Sequence, residues 1–530
     1  MSQLNVKDLL LAPRLDPQEV AAQLGAYGIK DPAKADANLQ AMADDPQARQ
    51  SLAEILEELL SCLTQSANPD QALNHFERFA RAVVNKTHLF SYLKESPRTL
   101  EILAKVFGGS QYMAEILIRD PVTLYWVTDP SILYHQRKRL SLERELRRAL
   151  GTITTESKQL DFLRAFKRRE TLQIGTRDLL RLCSVEETLA ALSTLAEVLI
   201  SAAYRICRNW LRNEYRLTGP EFRRFTVLGM GKLGGGELNF SSDVDLIYLY
   251  ESDEEEAAIE GSNGQPASLS ASDFYRRLSQ KITVALNEPT SEGYVFRVDL
   301  RLRPEGQMGN IAYSLDAFER YYAWRGQTWE RLALLKAAPV AGDRRLGRRF
   351  LEQVAPFIYQ QPFDLPALND VLKVKKQIDQ KMTLRQQRLR NVKLGFGGIR
   401  EIELMVQALQ VAFGREYPQI RQRRTLAALG ALREHSLVTD EEQRTLSAAY
   451  LFLRDVENKL QMVNDAQTHS LPTDPEELRT CARMLGYLDP AAANPDERFL
   501  HDYRFHTGQV NGLFENLFSA SRRERFRQLK

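Results

Sequence analysis

Two aspartates, Asp243 and Asp245, follow a glycine-rich stretch at residues 229–236. Glycines allow backbone N–H groups to approach phosphates closely, because no side chain stands in the way. The aspartates open an apolar run at residues 246–250, and an extended chain would place both carboxylates on one face. Neighbouring carboxylates repel each other unless a cation lies between them, and hard oxygen ligands suit Mg²⁺. The stretch therefore predicts a metal-dependent site for nucleotide phosphates.

A third carboxylate, Asp299, lies in residues 296–304, where apolar and polar residues alternate. The alternation predicts a strand with one face in the core and one on the site. The apolar face would carry Phe296, Val298, Leu300 and Leu302, and the polar face Arg297, Asp299, Arg301 and Arg303. Arginines beside a metal-binding acid suit phosphate oxygens. Three acids with arginines are the equipment of in-line phosphoryl or nucleotidyl transfer.

The glycine stretch fits two common nucleotide motifs poorly. Residues 229–234 match the dinucleotide fingerprint G-x-G-x-x-G, but two more glycines follow where a long helix should begin. Lys232 is followed by Leu233, so the stretch is not a Walker A loop either. Lys232 fits a phosphate contact or a solvated loop lysine, and Arg301 and Arg303 fit phosphate binding or structural ion pairs.

Several other charged residues are expected to have structural roles. Trp329, Glu330, Arg331 and Lys336 lie in a predicted helical segment, where packing and salt pairing are the default. Arg400, Glu401 and Glu403 follow a glycine turn at a helix start, where a carboxylate usually compensates the helix dipole. The seven histidines show no metal-ligand spacing.

Composition and charge narrow the function classes. The 530 residues suffice for two to four domains, and the net charge of +3 argues against nucleic acid as a partner. Four cysteines without CxxC spacing indicate reduced thiols in a cytoplasmic protein. We expect no membrane span and no signal peptide, since neither a long apolar run nor a charged, apolar N-terminal segment is seen.

Periodicity predicts an α+β, mostly helical fold, in which a small α/β domain is embedded between helical regions. Residues 1–217 show helical spacing, residues 218–345 carry the predicted strands, and residues 346–530 return to helices as in a bundle. Within the middle domain, residues 251–268 are acidic and rich in Gly and Ser, which predicts a surface loop.

The motifs at residues 229–247, 297–304, 326–331 and 393–403 resemble those of the glutamine synthetase adenylyltransferase/adenylyl-removing enzymes, bacterial regulators of nitrogen assimilation. The resemblance covers most of the chain beyond about residue 160. It implies a nucleotidyltransferase-superfamily catalytic domain. Enzymes of this family usually carry two such domains, one attaching AMP to a tyrosine of glutamine synthetase and one removing it by phosphorolysis. The form of the glycine motif here looks like that of the N-terminal, removing half.

The resemblance also implies the site residues. Asp243, Asp245 and Asp299 would bind Mg²⁺, or Mn²⁺ in its place, and act as the catalytic carboxylates. Gly234, Gly235 and Gly236, with Ser242 and Lys232, would hold the nucleotide phosphates, and Arg301 and Arg303 the attacking phosphate. The implied partners are glutamine synthetase, ADP or ATP, inorganic phosphate and nitrogen-signalling regulatory proteins. The chain has one glycine loop with Asp-x-Asp, so it resembles a fragment of the two-domain enzyme or a one-domain relative.

Three alternatives stay open at this stage. The same fold and metals would serve an adenylyltransferase that moves AMP from ATP to a protein tyrosine. An RNA-tailing nucleotidyltransferase would need a basic, aromatic-rich groove, which the near-neutral charge disfavours. A non-enzymatic docking scaffold would not need the intact carboxylates.

Overall fold

The computed structural model describes residues 5–217, 224–254, 256–260, 266–360, 385–488 and 494–518. The described chain is mostly helical with a small mixed sheet, which confirms the predicted α+β class. It folds into two compact units. The first comprises Met1–Gln136, Arg168–Thr188 and Asp455–Tyr503, and the second Arg137–Lys167, Leu189–Arg454 and Arg504–Lys530. The boundaries predicted near residues 217 and 345 both fall inside the second unit.

Just over half of the helices that lie wholly in the first unit begin where an acidic or amide residue precedes a proline. Side chains at six of these positions accept hydrogen bonds from the first-turn backbone, namely Asp16, Asp31, Asp45, Asn68, Asp129 and Asp474. The helices lying wholly in this unit are Asp8–Leu11, Pro17–Ala26, Pro32–Met42, Pro46–Thr64, Pro69–Ala82, Lys86–Glu95, Pro97–Gly109, Gln111–Arg119, Thr123–Val127, Pro130–Leu133 and Pro475–Met484.

The core of the first unit combines apolar packing with a buried ion cluster. Phe79 and Phe107 are fully buried, with ring centroids 5.6 Å apart. The ammonium group of Lys459, also fully buried, contacts the carboxylates of Asp178 and Asp455. A buried charge of this kind is tolerated only when it is paired, so the cluster fixes how these segments pack.

The second unit contains all strands of the described residues. They are β1 (Phe225–Gly229), β2 (Val244–Tyr250), β3 (Glu256–Glu260), β4 (Pro266–Ser270), β5 (Val298–Asp299), β6 (Ala312–Ser314) and β7 (Ala338–Gly342). The main sheet has the order β5–β2–β1–β7, with β6 also paired to β2. β1 is antiparallel to β2 and β7, whereas β5 and β6 are parallel to β2. β1 and β2 confirm the two strands predicted around the glycine stretch.

Two sequence predictions for this unit are wrong. The alternating strand at residues 296–302 reduces to the two residues of β5, after which the chain turns. Residues 251–268 are not simply a loop, because β3 and β4 pair as an antiparallel hairpin. In both segments strand pairing, which composition does not report, decides the structure.

Helices surround the sheet of the second unit. Those lying wholly within this unit are Arg139–Leu150, Gly231–Gly235, Ala271–Asn287, Leu315–Trp324, Thr328–Leu334, Arg344–Tyr359, Arg385–Arg390, Ile399–Phe413 and Thr425–Glu434, with 3₁₀ turns at Gly306–Met308 and Pro418–Ile420. Four further helices contribute residues to both units, namely Glu156–Leu179, Val185–Glu214, Asp440–Met462 and Pro495–Leu517.

The helix Val185–Glu214 is long and apolar enough to cross a membrane, judged by length and composition alone. It is the one such helix in the described part of the chain, and 61% of its most apolar segment is buried inside the structure. A helix packed in a protein core passes the same test of composition. From the sequence we expected no membrane-spanning segment.

Candidate active site

A cleft of about 650 Å³ lies in the second unit beside β2 and β5. Two carboxylates, Asp245 and Asp299, line it from the sheet. Five cationic side chains also line it, from Lys232, Arg301, Lys336, Lys393 and Arg400. Two acids surrounded by cations form a site suited to a metal ion bound together with phosphate oxygens.

The glycine turn between β1 and β2 fixes one wall of this cleft. A short helix, Gly231–Gly235, replaces the long helix of a dinucleotide motif. Gly231 has a positive φ of +51°, and a Cβ atom there would lie 2.8 Å from Oδ2 of Asp245. Only glycine therefore allows the backbone to pass so close to this carboxylate.

The next three glycines, Gly234, Gly235 and Gly236, are those that we predicted to cradle phosphate. The backbone N–H groups of Gly234 and Gly236 donate to carbonyl oxygens inside the turn. A Cβ atom on Gly234 would lie 1.9 Å from the carbonyl oxygen of Lys336. Gly234, Gly235 and Gly236 do not line the cleft, whereas Gly231 and Lys232 do. Close backbone packing therefore accounts for the glycine at position 234, and phosphate binding by the three glycines stays a prediction.

Asp245 and Asp299 are brought together by parallel pairing of β2 with β5. The register places Asp245 beside Asp299 and Val244 beside Val298. Paired residues of adjacent strands point to the same face of a sheet, so both carboxylates face the cleft. Burial and the neighbouring Asp299 carboxylate raise the pKa of Asp245 to about 6, with a smaller contribution from Asp243. A raised pKa from burial and like charge is common at functional sites.

Each of the other two predicted carboxylates is held by an arginine. Asp243 accepts a hydrogen bond from Nε of Arg297 at 2.7 Å. Asp299 accepts two from Nε of Arg301, at 3.0 and 2.8 Å. Burial alone would raise the pKa of Asp299, but the hydrogen bonds from Arg301 outweigh it and hold the pKa below its ordinary value. Asp243 does not line the cleft, so the structure brings two of the three acids to it.

Of the remaining predicted residues, Lys232 lines the cleft, whereas Ser242 and Arg303 form hydrogen bonds within the neighbouring turns. Nζ of Lys232 donates to Oδ1 of Asn239 at 2.7 Å while lining the cleft. Ser242 accepts from the backbone N–H of Asn239 at 3.0 Å and so stabilises the turn before β2. The Arg303 guanidinium donates to the carbonyl oxygens of Leu300, Gln307 and Gly309. The structure therefore places the Arg303 guanidinium against carbonyl oxygens of its own loop, and Arg303 is not among the residues that line the cleft.

A buried ion cluster lies directly behind the glycine turn. Nζ of Lys336 contacts Glu237 at 2.8 Å, Glu403 at 2.7 Å and the hydroxyl of Thr425 at 3.2 Å. Burial would raise the pKa of Glu403, but the Lys336 ammonium outweighs it and lowers the pKa to about 2. The same carboxylates raise the pKa of Lys336 above its ordinary value against the effect of burial. Glu403 is thus an ion-pair partner and not a residue that merely compensates a helix dipole.

The carboxylates of the cleft suit a Mg²⁺ ion that the protein and its substrate bind together. Among the described residues, no three Asp, Glu, His or Cys side chains converge to hold an ion unaided. Mg²⁺ is usually bound through one or two carboxylates, with water and substrate phosphates completing its octahedral shell. Asp245 and Asp299 supply two adjacent carboxylates on a cleft wall, and the unfavourable charge at Asp245 is what a cation would relieve.

Sequence reasoning missed several residues at this site. Lys393 and Arg400 line the cleft from a segment about 150 residues beyond Asp245, and we predicted only a structural role for Arg400. Arg297, predicted as one of the phosphate binders on the polar strand face, donates a hydrogen bond to Asp243. The motif at residues 393–403 was the available signal, because it combines a glycine turn with charged residues.

Comparisons with known proteins bear on this site. The family model described as glutamate-ammonia ligase adenylyltransferase matches residues 100–353, and that of GlnD PII-uridylyltransferase matches residues 373–518. The first match contains the glycine turn and all three aspartates. The second contains Lys393, Arg400 and Glu403.

Three relatives carry the name bifunctional glutamine synthetase adenylyltransferase/adenylyl-removing enzyme. The protein of Nitrosococcus oceani is 36% identical over 84% of this chain and 45% of its own length. Those of Brucella melitensis and Xanthomonas axonopodis are 36% and 40% identical, over 79% and 62% of this chain and 42% and 34% of their own lengths.

The chain therefore spans at most about half the length of these relatives. The resemblance expected from the motifs is confirmed. By sequence, the chain is a homologue of the bifunctional glutamine synthetase adenylyltransferase/adenylyl-removing enzymes.

Proposed function

We propose that this chain removes AMP from an adenylylated tyrosine of glutamine synthetase by Mg²⁺-dependent phosphorolysis, releasing ADP and restoring the unmodified synthetase. The observation that carries the proposal is the pairing of Asp245 with Asp299 on a cleft lined by five cationic side chains. The names of the relatives supply the substrate protein, and they include both attachment and removal of AMP. The form of the glycine motif favours removal.

Asp245 and Asp299 are the residues that would hold the metal. A bound Mg²⁺ would neutralise charge on the adenylyl phosphate and on the attacking and leaving oxygens. Asp243 would orient the start of β2 through its hydrogen bond with Arg297, and its charge lies close enough to contribute to the raised pKa of Asp245. Mn²⁺ has similar oxygen-ligand preferences and is expected to substitute.

Arg301, Lys393 and Arg400 would bind the phosphate groups. The Arg301 side chain is 69% exposed although it is paired with Asp299, so it can reach an incoming phosphate. An oxygen of inorganic phosphate attacks the AMP phosphorus in line and forms the new P–O bond of ADP. The bond from phosphorus to the tyrosine oxygen breaks, and the proton carried by phosphate ends on that oxygen. The phenol has an ordinary pKa of about 10, so stabilising the departing oxygen's charge is essential.

The framework behind the cleft keeps these groups in place. Lys336 joins Glu237, at the end of the glycine turn, to Glu403 on the helix Ile399–Phe413. That helix also carries Arg400 into the cleft. Fixing the turn and helix together would hold the metal-binding and phosphate-binding sides at a constant separation, as in-line transfer requires.

Transfer of AMP from ATP to the tyrosine is the second candidate, because the relatives' names include this activity. The same carboxylates would serve both directions, since each reaction exchanges one oxygen for another at the AMP phosphorus. The match of residues 373–518 to the GlnD PII-uridylyltransferase model supports nitrogen-signalling proteins as regulators in either case. Titrating purified PII into the activity assay would test this, and an unchanged rate would argue against it.

The test of direction uses two parallel reactions. Adenylylated synthetase is incubated with the chain, Mg²⁺ and phosphate, and unmodified synthetase with the chain, Mg²⁺ and ATP. Intact mass spectrometry of the synthetase and chromatography of the nucleotides are read in both. We expect phosphate-dependent loss of AMP with release of ADP. Gain of AMP from ATP without phosphorolysis would favour the second candidate, and inactivity in both would contradict the proposal.

A further inference from the structure

Gln407 has an unusual position in the cleft. It lies on the helix Ile399–Phe413, it lines the cleft, and only 5% of the residue is exposed. In the described part of the chain its side-chain oxygen Oε1 accepts no hydrogen bond. Leaving a buried acceptor unpaired is unfavourable, so such atoms at a functional site point to a missing partner.

The character of the cleft changes along this helix. Arg400, Glu403 and Gln407 are spaced by three and four residues, so they lie along one helix face. The Arg400 side chain is 35% exposed and that of Glu403 only 7%. The exposed, cationic end suits phosphate, whereas the buried end presents an amide, which suits an uncharged group with hydrogen-bond donors.

Apolar residues line the cleft together with Gln407. Trp329, Leu332 and Ala333 line the same cleft from the helix Thr328–Leu334, which contacts the helix Ile399–Phe413. The indole of Trp329 is partly exposed, at 38% of the residue. A partly exposed aromatic ring in a nucleotide cleft offers a stacking surface for a base. Glutamine is also the side chain that pairs naturally with adenine, accepting from its exocyclic amino group.

We propose that Gln407 and Trp329 form the base subsite of the cleft, where Trp329 stacks on adenine and Oε1 of Gln407 accepts from the adenine amino group. This inference rests on the proposed function, because it assumes that an adenine nucleotide occupies the cleft. It adds the residues that select the base. Hypoxanthine, which carries an oxygen in place of that amino group, would put two acceptors against each other.

The experiment measures binding of ADP and of inosine diphosphate to the full chain with Mg²⁺ by calorimetry. We expect ADP to bind at least about tenfold more tightly, the discrimination that one well-placed base contact supplies. Gln407→Met, which removes the acceptor at similar length, should bring the two affinities within about twofold of each other. Trp329→Leu should weaken both nucleotides by a similar factor, because every base has a stacking face.

Gln410 provides the matched control. It is a buried glutamine on the same helix, but its Nε2 donates to the carbonyl oxygens of Ile420 and Gln422, at 2.7 Å each, and it does not line the cleft. Gln410→Met should keep the preference for ADP. Thermal melts of each variant establish that it is folded.

Equal affinity of the parent for ADP and inosine diphosphate would overturn the base subsite and leave the proposed function standing. An unchanged preference in folded Gln407→Met would overturn the role of Gln407. Failure of the parent to bind either nucleotide would contradict the proposed function and this inference together.

Discussion

Asp245 and Asp299 lie beside each other on parallel strands β2 and β5, on the same face of the sheet. Adjacent strands are about 4.8 Å apart, so the two carboxylates repel each other in a partly buried site. Gly231 passes so close to Asp245 that a methyl group there would clash with its carboxylate. The fold therefore holds the charged form of Asp245 in an unfavourable environment, which is typical of a site built for a cation.

Replacing Asp245 with asparagine should separate stability from activity. Asp245→Asn removes a ligand for the metal and should lower the phosphorolysis rate by at least about 1,000-fold. Without metal it should raise the melting temperature by about 2 °C or more, because the repulsion with Asp299 disappears. Melting curves with and without Mg²⁺ measure both effects. Asp316→Asn, at an exposed carboxylate of the same unit, is the control, and a variant that melts lower than the parent without metal would contradict this view.

Lys336 should be essential for folding of the second unit. Lys336→Met leaves Glu237 and Glu403 buried without their cation, and we expect the free energy of unfolding to fall by about 3–5 kcal/mol. Urea denaturation followed by circular dichroism measures this loss. In Lys281→Met the lost ion pair, with Glu156, is only partly buried, and the change should stay below about 1 kcal/mol. Similar losses in the two variants would refute the special role of Lys336.

Acid should destabilise the protein through Glu403. Its pKa in the folded state is about 2, below the ordinary 4.5, so the unfolded chain binds more protons between these values. Stability from this group is complete above about pH 5 and is lost as the pH falls towards 2, by an amount on the order of 3 kcal/mol. Glu403→Gln should be less stable at pH 7 and should lose less stability on acidification. Parallel curves of unfolding free energy against pH would rule this out.

Two glycine substitutions should have opposite effects on the stability of the folded protein. Gly234→Ala puts a methyl group 1.9 Å from the carbonyl oxygen of Lys336, and we expect the soluble, folded yield to collapse. Gly430 lies inside the helix Thr425–Glu434, and a Cβ atom there meets nothing within 4 Å. Gly430→Ala should therefore raise the free energy of unfolding by about 0.5–1 kcal/mol. A stable, folded Gly234→Ala protein would show that the turn is looser than the structure indicates.

Local patterns predicted the parts of the fold that local forces decide. The apolar runs before and after the glycine stretch became β1 and β2, with Asp243 just before β2 and Asp245 within it, as expected. The fold class and the family followed from periodicity and from the motifs. The alternation at residues 296–302 predicted a longer strand than the one that forms. β5 ends at Asp299, and the Arg303 guanidinium donates to loop carbonyl oxygens.

The rest depended on contacts between distant residues. Lys336 and Glu403 are 67 residues apart, and no spacing rule pairs them before the fold is known. The role of Gln407 likewise could not be predicted before the fold is known. It lies nearly in the middle of an apolar helix, and only the cleft that it lines indicates a role. The glycines illustrate the limit differently. Their number predicted close approach correctly at Gly234, where a Cβ atom would meet the backbone at Lys336, and the phosphate contact stays a prediction.

Following labelled phosphate is the most direct test that the cleft at Asp245 and Asp299 carries out phosphorolysis. Adenylylated glutamine synthetase is incubated with the chain, Mg²⁺ and radiolabelled inorganic phosphate, and the nucleotides are separated over time. Asp245→Asn serves as the inactive reference. We expect label to appear in ADP at the rate at which AMP leaves the synthetase. With Asp245→Asn we expect no label in ADP. Release of unlabelled AMP, or equal labelling of ADP by Asp245→Asn, would contradict it.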